Sequence, residues 1–242
     1  MSDLPNIEKK VSQAVRHFWL TRNKQSRKQG AKSGARDAGA RTAVTGGAQM
    51  DGFINLLTEL IHGAGVGRSY IFHSAHLELP GYFRPTKEWD LLVVKDNQLI
   101  AAIEAKSQVG PSFGNNFNNR TEEAIGSAVD LWTAFREGGL HKGIAPWLGF
   151  IFLLEECPES LRPVKISEPH FKVFPEFKEA SYARRYELLC KKLIRERHYS
   201  ASAFLTSSRT RGTKGIYAEP AEDLRIASFV RQLISHVAAQ AR

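Results

Sequence analysis

The sequence predicts a mixed α/β fold in which one mixed β-sheet is flanked by helices. Apolar runs of strand length alternate with longer segments whose apolar residues recur every three or four positions. These segments follow the order helix, three strands, helix, strand, with extra helices at the N- and C-terminal ends. The 242 residues suffice for a sizeable core, and we expect residues 1–242 to form a single domain.

Periodicity and turn residues place the elements of the first half of the chain. Residues 5–22 are predicted to form an amphipathic helix, and residues 51–61 a second helix that ends at the glycine-rich GAGVG. Residues 68–79 have the pattern of a strand that bends. Two further strands are expected at residues 89–95 and 99–107, so three strands follow the second helix.

The second half begins with a predicted helix after the Gly/Asn-rich loop QVGPSFGNNFNNR. Asn119 and Glu122 have the spacing of a capping box, so this helix should begin there and extend to Arg136. Its core-facing side chains are expected to be Ile125, Val129, Trp132 and Phe135. The elements expected after it are an apolar strand at 146–156 buried on both faces, a helix at 177–197, the strand SAFLTS, the basic loop SSRTRGTKG and a helix at 221–240.

Charge and cysteine content restrict the classes of function. Lys and Arg outnumber Asp and Glu by 34 to 25, which gives a net charge of +9 and a pI near 9.6. This excess favours a polyanionic partner, nucleic acid before membrane, although many basic proteins merely gain solubility from their charge. The 2 cysteines exclude a disulfide framework. We expect a cytoplasmic protein without membrane association and, in the absence of a phosphate-binding motif, without a nucleotide cofactor.

Residues 23–47 are predicted to form a basic, flexible arm of this domain. The segment contains six basic residues, one acid and five glycines, with no large apolar side chain beyond Val44, so it cannot bury itself. Arg36 and Arg41 are its candidates for contacts with DNA phosphates. A solvated linker that makes no such contact is the alternative interpretation.

The stretch EWDLLVVKDNQLIAAIEAKSQ, residues 88–108, carries the candidate active site. Asp90 precedes one apolar strand, while Glu104 and Lys106 end the next and share one face of it. In a hairpin Asp90 lies beside Glu104, and two such carboxylates repel each other unless a cation lies between them. Mg²⁺ suits oxygen ligands, and Lys106 is placed to orient a water or to stabilise charge on a phosphate. We expect phosphodiester hydrolysis; a hairpin that merely has charged ends is the alternative.

The two carboxylates share a face only in one register of this hairpin. A regular two-residue turn at Asp96–Asn97, which the residue types favour, sets Asp90 opposite Ile103 and turns Glu104 to the other face. A three-residue turn sets Asp90 opposite Glu104. The candidate site therefore requires either an odd-numbered turn or a β-bulge.

The same stretch resembles the PD-(D/E)xK nuclease signature, with Asp90 as the first acid and Glu104-Ala105-Lys106 as the second half. The predicted αβββαβ order is similar to that superfamily's restriction-endonuclease-like core. RPTKEWDLLVV, IAAIEAKSQVGPSFGNNFNNRTEEAIGSAVDLWTAFREG and much of the surrounding chain resemble the XhoI family of type II restriction endonucleases. Trp89 departs from the superfamily pattern, in which a proline often precedes the first acid.

The resemblance implies a homodimer in the bacterial cytoplasm that cuts both strands of the palindrome CTCGAG with Mg²⁺ and leaves 5′ overhangs. It implies Asp90, Glu104 and the main-chain oxygen of Ala105 as metal ligands. Glu59, on the helix before the sheet, is the candidate for an additional acidic ligand. An ordinary glutamate on a helix surface is an equally good interpretation of Glu59.

Two polar segments carry the residue types that read bases in the major groove, where Arg pairs with guanine and Asn with adenine. One segment follows the catalytic strand and the other lies in the basic loop after SAFLTS. The candidates for DNA binding are Asn115, Asn116, Asn118, Asn119, Arg120, Arg209, Arg211 and Lys214. Plain turns are the alternative interpretation of a loop rich in Asn and Gly.

The sequence therefore predicts a Mg²⁺-dependent, site-specific deoxyribonuclease of the restriction type. A structure-specific nuclease of DNA repair or recombination, built on the same fold, is the alternative within enzymes. A non-catalytic DNA-binding protein that kept a nuclease fold is the alternative outside them. The intact set of Asp90, Glu104 and Lys106 argues against the last alternative.

Overall fold

A computed structural model describes residues 6–30, 47–141 and 143–240. Its strands are β1 (Ile71–Phe72), β2 (Glu78–Pro80), β3 (Thr86–Glu88), β4 (Leu91–Lys95), β5 (Gln98–Gln108), β6 (Trp147–Glu155) and β7 (Ala201–Ser207). Within these residues a 5-stranded mixed sheet has the order β1-β4-β5-β6-β7, while β2 and β3 form a separate antiparallel ribbon. β4 is antiparallel to β5, and β5, β6 and β7 are mutually parallel.

Helices cover both faces of the sheet, which confirms the predicted fold class. They are α1 (Ile7–Gly30), α2 (Asp51–Gly63), α3 (Phe113–Arg136), α4 (Pro158–Leu161), α5 (Tyr182–Arg195), α6 (Arg209–Gly212) and α7 (Ile226–Gln240). The first core lies between the sheet and α1, α2 and α7, and the second core lies between the sheet and α3 and α5. β6 separates the two cores and is buried along its whole length, as its unbroken apolar run predicts.

Helix α1 is longer than the predicted helix at residues 5–22 and continues to Gly30. The predicted arm at residues 23–47 is therefore helical in its first part. The rest of that segment, with Arg36 and Arg41, lies outside the described residues. No helix in the described part of the chain is both long enough and apolar enough to span a bilayer.

Helix α3 begins at Phe113, six positions before the predicted start, so the proposed capping box at Asn119 is wrong. Asn119 lies inside the helix. The helix extends through a segment of poor helix propensity because Phe113 and Phe117 pack against Tyr182 and Tyr186, with ring centroids 5.8 and 5.1 Å apart. Packing with α5 thus outweighs the weak preference of the Gly and Asn residues for a helix.

The buried face of α3 also differs from the predicted one. Ile125 is 38% exposed, and Val129, Trp132 and Phe135 are only partly buried. The residues that face the core are mostly small: Ala124, Ser127, Ala128, Leu131 and Ala134. Small side chains allow the helix backbone to approach the sheet closely, and the larger aromatic residues then lie at the flank of the contact.

The hairpin between β4 and β5 combines a two-residue turn with a β-bulge. Asp96 and Asn97 form the turn with positive φ angles of 51° and 61°, which tight hairpin turns require. The pairing shifts by one residue at Ile100, which has no partner on β4. The requirement for an odd turn or a bulge is thus confirmed, and the hairpin uses the bulge.

The bulge reverses which face the following side chains of β5 occupy. Ile100 and Ala101 are consecutive and yet both pack in the first core, whereas Ala102 packs in the second. The carbonyl oxygen of Ile100 accepts a hydrogen bond from Nε2 of His236 on α7 at 3.2 Å. This bond satisfies a backbone group at the point where the strand pairing is interrupted.

Candidate active site

The register beyond the bulge brings the two predicted carboxylates together. Leu91 pairs with Ile103, so Asp90, one residue before β4, lies across from Glu104. The backbone N–H of Asp90 donates to the carbonyl of Ile103 at 3.1 Å. Glu104 and Lys106 follow Ala102 at spacings of two and point toward the second-core face of the sheet. The structure therefore assembles Asp90, Glu104 and Lys106 as predicted.

Glu104 is 3% exposed and contacts two ammonium groups, one on each carboxylate oxygen. Lys106 contacts Oε1, and Lys87 of β3 donates to Oε2 at 2.5 Å. Burial disfavours the charge of Glu104, but the attraction of Lys106 and then of Lys87 outweighs it. The pKa of Glu104 is therefore below its ordinary value, and the residue is ionised at neutral pH.

Asp90 is more accessible than Glu104, with a side-chain exposure of 34%. Its Oδ2 accepts the backbone N–H of Ala105 at 2.8 Å and lies 3.8 Å from Nζ of Lys106. Burial raises the pKa of Asp90 above its ordinary value, and the charge of Glu104 adds to this, against the opposing attraction of Lys106. The Lys106 pKa is raised, because Glu104 and Asp90 together outweigh its own desolvation.

Lys87 was not identified from the sequence, although it lies three residues before Asp90. β3 exposes Thr86 and Glu88 and turns Lys87 inward, where its side chain is only 12% exposed. The ammonium group lies 4.3 Å from the ring centroid of Trp89 and also donates to the carbonyl of Glu88 at 2.8 Å. The sequence signal for Lys87 would be the alternation of exposed and inward-facing residues in β3, but the strand has only 3 residues and is too short for this pattern to be recognised.

Trp89 makes a contact that the proline often found before the first acid could not make. Its backbone N–H donates to the carbonyl of Leu77 at 2.9 Å, and its side chain is 2% exposed in the second core. Proline lacks this donor. Trp89 therefore ties the start of β4 to the residue that precedes β2 and places an aromatic face under Lys87.

The donor set at this site suits a hard divalent cation, with two opposed carboxylates at its centre. Ile103 presents its carbonyl to β4, and Ala105, two residues on, presents its N–H to the same side. Since alternate residues of a strand direct their peptide groups to the same neighbour, the carbonyl of Ala105 belongs on that side too. Across the described residues, no cluster of three or more His, Cys, Asp or Glu side chains is placed to hold a metal.

Glu59 is not part of this cluster. It lies on the exposed surface of α2, where its carboxylate accepts a hydrogen bond from Arg68 at 3.1 Å. That hydrogen bond and the attraction of Arg68 hold the pKa of Glu59 below its ordinary value. The structure thus places Glu59 as a helix-surface glutamate and does not bring it to Asp90 and Glu104.

The five polar candidates after β5 lie on the first turns of α3 and not in a loop. Asn115, Asn118 and Asn119 are exposed along one side of the helix, while Asn116 and Arg120 are half-buried. Arg120 contacts Glu123 at 2.5 Å. Its charge also opposes protonation of Lys106, so this end of α3 lies near the carboxylate cluster.

The second group of candidates follows the C-terminal end of β7. Arg209, Arg211 and Lys214 are exposed, and the segment predicted as a loop contains the single helical turn α6. Because β5, β6 and β7 are parallel, their C-terminal ends meet at one edge of the sheet. The start of α3, the catalytic residues and this basic segment therefore share that edge.

Glu155 connects the end of β5 with the basic segment after β7, and it was not identified from the sequence. It ends β6, is 8% exposed, and accepts the backbone N–H of Gly110 at 2.9 Å through Oε2. Its Oε1 lies 3.5 Å from Nε of Arg209, whose guanidinium lies 5.7 Å from the Trp19 ring centroid. The end of the catalytic strand and the basic segment are therefore tied through one buried acid.

Comparisons with known proteins show which sequences the chain is similar to. The family model described as restriction endonuclease XhoI matches residues 28–219. The type II restriction enzyme BstVI of Geobacillus stearothermophilus is 55% identical over 215 residues, which cover 87% of this chain and 96% of the relative. The type II restriction enzymes XhoI of Xanthomonas vasicola and AbrI of Azospirillum brasilense are 47% and 50% identical, over 79% and 70% of this chain and 77% and 76% of their own lengths. No solved structure is significantly similar to the chain.

Proposed function

Because the chain belongs to the XhoI family of type II restriction endonucleases, we propose that it cuts double-stranded DNA at the palindrome CTCGAG, depends on Mg²⁺ and leaves 5′ overhangs. The DNA-cleaving hydrolase activity follows from the family. What we propose beyond this activity is the palindrome, the metal and the overhang. These rest on the resemblance of the sequence to that family.

The observation that carries the proposal is the grouping of Asp90, Glu104 and Lys106 at the C-terminal edge of the parallel strands. Two carboxylates with a lysine beside them form a PD-(D/E)xK arrangement, and the bulge at Ile100 is what brings the acids to one face. A hairpin that merely had charged ends would not need this register, since both faces of β4 are apolar.

Asp90 and Glu104 would hold the divalent ion, together with the main-chain oxygen of Ala105. Hard cations of this kind take oxygen ligands and retain positions for water and substrate phosphate. When bound, the ion supplies Lewis-acid stabilisation of negative charge at the scissile phosphate. Glu104 contributes because it is ionised despite its burial, and Asp90 because its side chain remains partly accessible to solvent.

Lys106 has two tasks in the proposed reaction. Its ammonium group stays protonated because Glu104 and Asp90 raise its pKa, so it offers N–H donors to a phosphate oxygen or to the attacking water. A donor that is already in place stabilises charge as it develops, without reorganisation during the reaction. Glu104 and Asp90 fix the position of this donor from two sides.

DNA would lie across the edge at which the parallel strands end. The first turns of α3 would present Asn115, Asn116, Asn118, Asn119 and Arg120, and the segment after β7 would present Arg209, Arg211 and Lys214. The charge of these residues suits phosphates, and their side-chain types suit base edges in the major groove. Arg36 and Arg41 of the basic arm at residues 23–47 are proposed to contact phosphates.

A homodimer is part of the proposal. The carboxylate cluster supplies one cutting site per chain within the described residues, whereas a palindromic site has two equivalent bonds to cut. Two copies related by a two-fold axis match the symmetry of such a site. The same two-fold symmetry would place both recognition surfaces on equivalent half-sites.

Cleavage of plasmid DNA in the presence and absence of Mg²⁺ tests the proposed function, with Asp90→Asn as the variant that loses a ligand. We expect discrete fragments whose ends map to CTCGAG with Mg²⁺, and intact plasmid for Asp90→Asn. Digestion to a smear, or cuts only at junctions, would contradict a restriction enzyme and favour a repair nuclease. Binding without any cleavage would instead support a non-catalytic protein.

A further inference from the structure

Lys87 is a second lysine at the carboxylate cluster, and a PD-(D/E)xK arrangement has no role for it. Its ammonium group contacts Oε2 of Glu104, whereas Lys106 contacts Oε1. Lysine is almost never this deeply buried without a specific partner. The position of Lys87 between Glu104 and the ring of Trp89 therefore needs an explanation of its own.

The charges of the cluster balance in the absence of DNA. Asp90 and Glu104 carry one negative charge each, and Lys87 and Lys106 carry one positive charge each. A divalent ion added to this set would face two ammonium groups and would have to share Glu104 with both. The electrostatic cost of binding the divalent ion falls if one ammonium group leaves Glu104 and pairs with another anion. A DNA phosphate is such an anion.

The surroundings of Lys87 allow it to move, in contrast to those of Lys106. Lys106 lies on β5, the central catalytic strand, and contacts both acids. Lys87 lies on the two-stranded ribbon of β2 and β3, outside the main sheet, at the end of a flexible side chain. Its contacts other than Glu104 are the face of Trp89 and the carbonyl of the adjacent Glu88, both uncharged groups that an ammonium group can exchange for a phosphate.

From this arrangement, and resting on the proposed function, we propose that Lys87 is a positioning residue that couples metal binding to DNA binding. In the free protein its ammonium group occupies Oε2 of Glu104 and competes with the divalent ion. When DNA is bound, a phosphate draws the ammonium group away, and the carboxylate becomes a full metal ligand. The protein therefore binds the metal weakly until DNA is present.

Calorimetric titration with Ca²⁺ tests this coupling without relying on cleavage. The titration is made on the free protein and on its complex with a duplex that carries CTCGAG. For the unsubstituted protein, DNA should raise the Ca²⁺ affinity by roughly 10- to 100-fold, the usual size of a coupling between two sites. By reciprocity, Ca²⁺ should raise the affinity for DNA by the same factor, which fluorescence anisotropy measures independently.

Lys87→Met removes the ammonium group and keeps the length of the side chain. Glu104 still has Lys106 as a partner, so no uncompensated buried charge is created. We expect Lys87→Met to bind Ca²⁺ more tightly than the unsubstituted protein in the absence of DNA, by roughly tenfold, with the coupling factor reduced toward one. Lys87→Arg, which keeps the charge, should retain weak metal binding by the free protein. If Lys87→Met fails to fold, the neutral Lys87→Gln takes its place, with the same expected gain in Ca²⁺ affinity.

Lys172→Met is the matched control, because it removes a lysine from an exposed pair with Glu168. It should leave both affinities unchanged. If Lys87→Met binds Ca²⁺ no more tightly than the unsubstituted protein, or if Lys87→Arg binds it as tightly as Lys87→Met, Lys87 does not compete with the metal and the inference is wrong. If the unsubstituted protein binds no divalent ion even with DNA, the proposed metal dependence itself fails, and the competition fails with it.

Discussion

The carboxylate cluster at the β4–β5 hairpin and the loop between β2 and β3 each enclose an acid that is almost fully buried. At the hairpin, Glu104 is 3% exposed, and its partners are the ammonium groups of two lysine side chains. Below the loop, Asp130 of α3 is also 3% exposed, but two of its partners are backbone N–H groups. Lysine side chains can leave an acid, whereas backbone donors cannot leave without deforming the loop.

Asp130 anchors the loop through three hydrogen bonds. Its Oδ1 accepts the N–H groups of Tyr82 and Phe83 at 2.7 and 2.8 Å, and its Oδ2 accepts Nε of Arg84 at 2.7 Å. Burial opposes the charge, but these bonds outweigh it and hold the pKa of Asp130 below its ordinary value. Burial and a lowered pKa are thus common to both acids. What distinguishes Glu104 is that its two charged partners are lysine side chains and not backbone groups.

Lys106→Ala is expected to show the largest effect, a loss of DNA cleavage. Loss of one preorganised donor commonly lowers a rate by about 10²- to 10³-fold. We expect a loss of this size in plasmid cleavage, with specific binding in Ca²⁺ retained. A cleavage rate within about threefold of the unsubstituted protein would show that Lys106 is structural and that the site is misassigned.

Asp130→Ala should affect stability and leave the chemistry intact. Removal of the carboxylate leaves two partly buried N–H groups without their acceptor, and a lost bond of this kind costs about 2 kcal/mol. Urea unfolding should show a lower free energy of unfolding, while cleavage per folded molecule remains near that of the unsubstituted protein. Loss of cleavage in a fully folded Asp130→Ala protein would contradict the distinction between the two acids.

The pH dependence of the unfolding free energy tests the charge of Asp130 separately, and a smaller effect is expected. Because the pKa of Asp130 is lowered on folding, its stabilising contribution is fully present above the unfolded value of about 3.9 and is lost as pH falls through the folded value. The difference in unfolding free energy between the unsubstituted protein and Asp130→Asn should therefore shrink as pH falls from 6 toward 3. A difference that stays constant over this range would mean that the charge of Asp130 does not contribute.

Glu59→Gln is predicted to have the smallest effect. Glu59 forms an ion pair with Arg68 at 3.0 Å, yet both side chains are more than half exposed. Exposed pairs of this kind are screened by water and salt, so cleavage should stay within about twofold of the unsubstituted protein and the melting temperature should not change. A large loss of cleavage would instead support Glu59 as a metal ligand.

The sequence did not predict the ribbon of β2 and β3, but it was sufficient to predict the fold class, the β4–β5 hairpin and the grouping of Asp90, Glu104 and Lys106. Each of these depends on local periodicity or on the alternation of a strand, which adjacent residues determine. The chemistry of the site also required the hairpin to contain an odd turn or a bulge. The sequence could not decide between an odd turn and a bulge, because the carbonyl of the bulged Ile100 accepts its hydrogen bond from His236 of α7, which lies far along the chain.

The start of α3 and the position of Lys87 at the carboxylate cluster could not be predicted, for two different reasons. The first turns of α3 have poor helix propensity and are held by aromatic contacts with α5 that no local rule reveals. Lys87 belongs to a strand of three residues, too short for its alternation to be recognised. Residues distant in sequence determine the start of α3, whereas at Lys87 the limit is the length of the strand.

The bulge at Ile100 has a consequence for how this hairpin can change during evolution. It separates two demands that would otherwise conflict, the preference of Asp96–Asn97 for a tight turn and the need of Asp90 to face Glu104. A one-residue insertion in the turn would have to be accompanied by loss of the bulged residue, because either change alone moves Asp90 out of alignment. Among relatives with the same site, a turn that is one residue longer should therefore occur together with a hairpin that lacks the bulge. The number of residues between the two acids should stay constant.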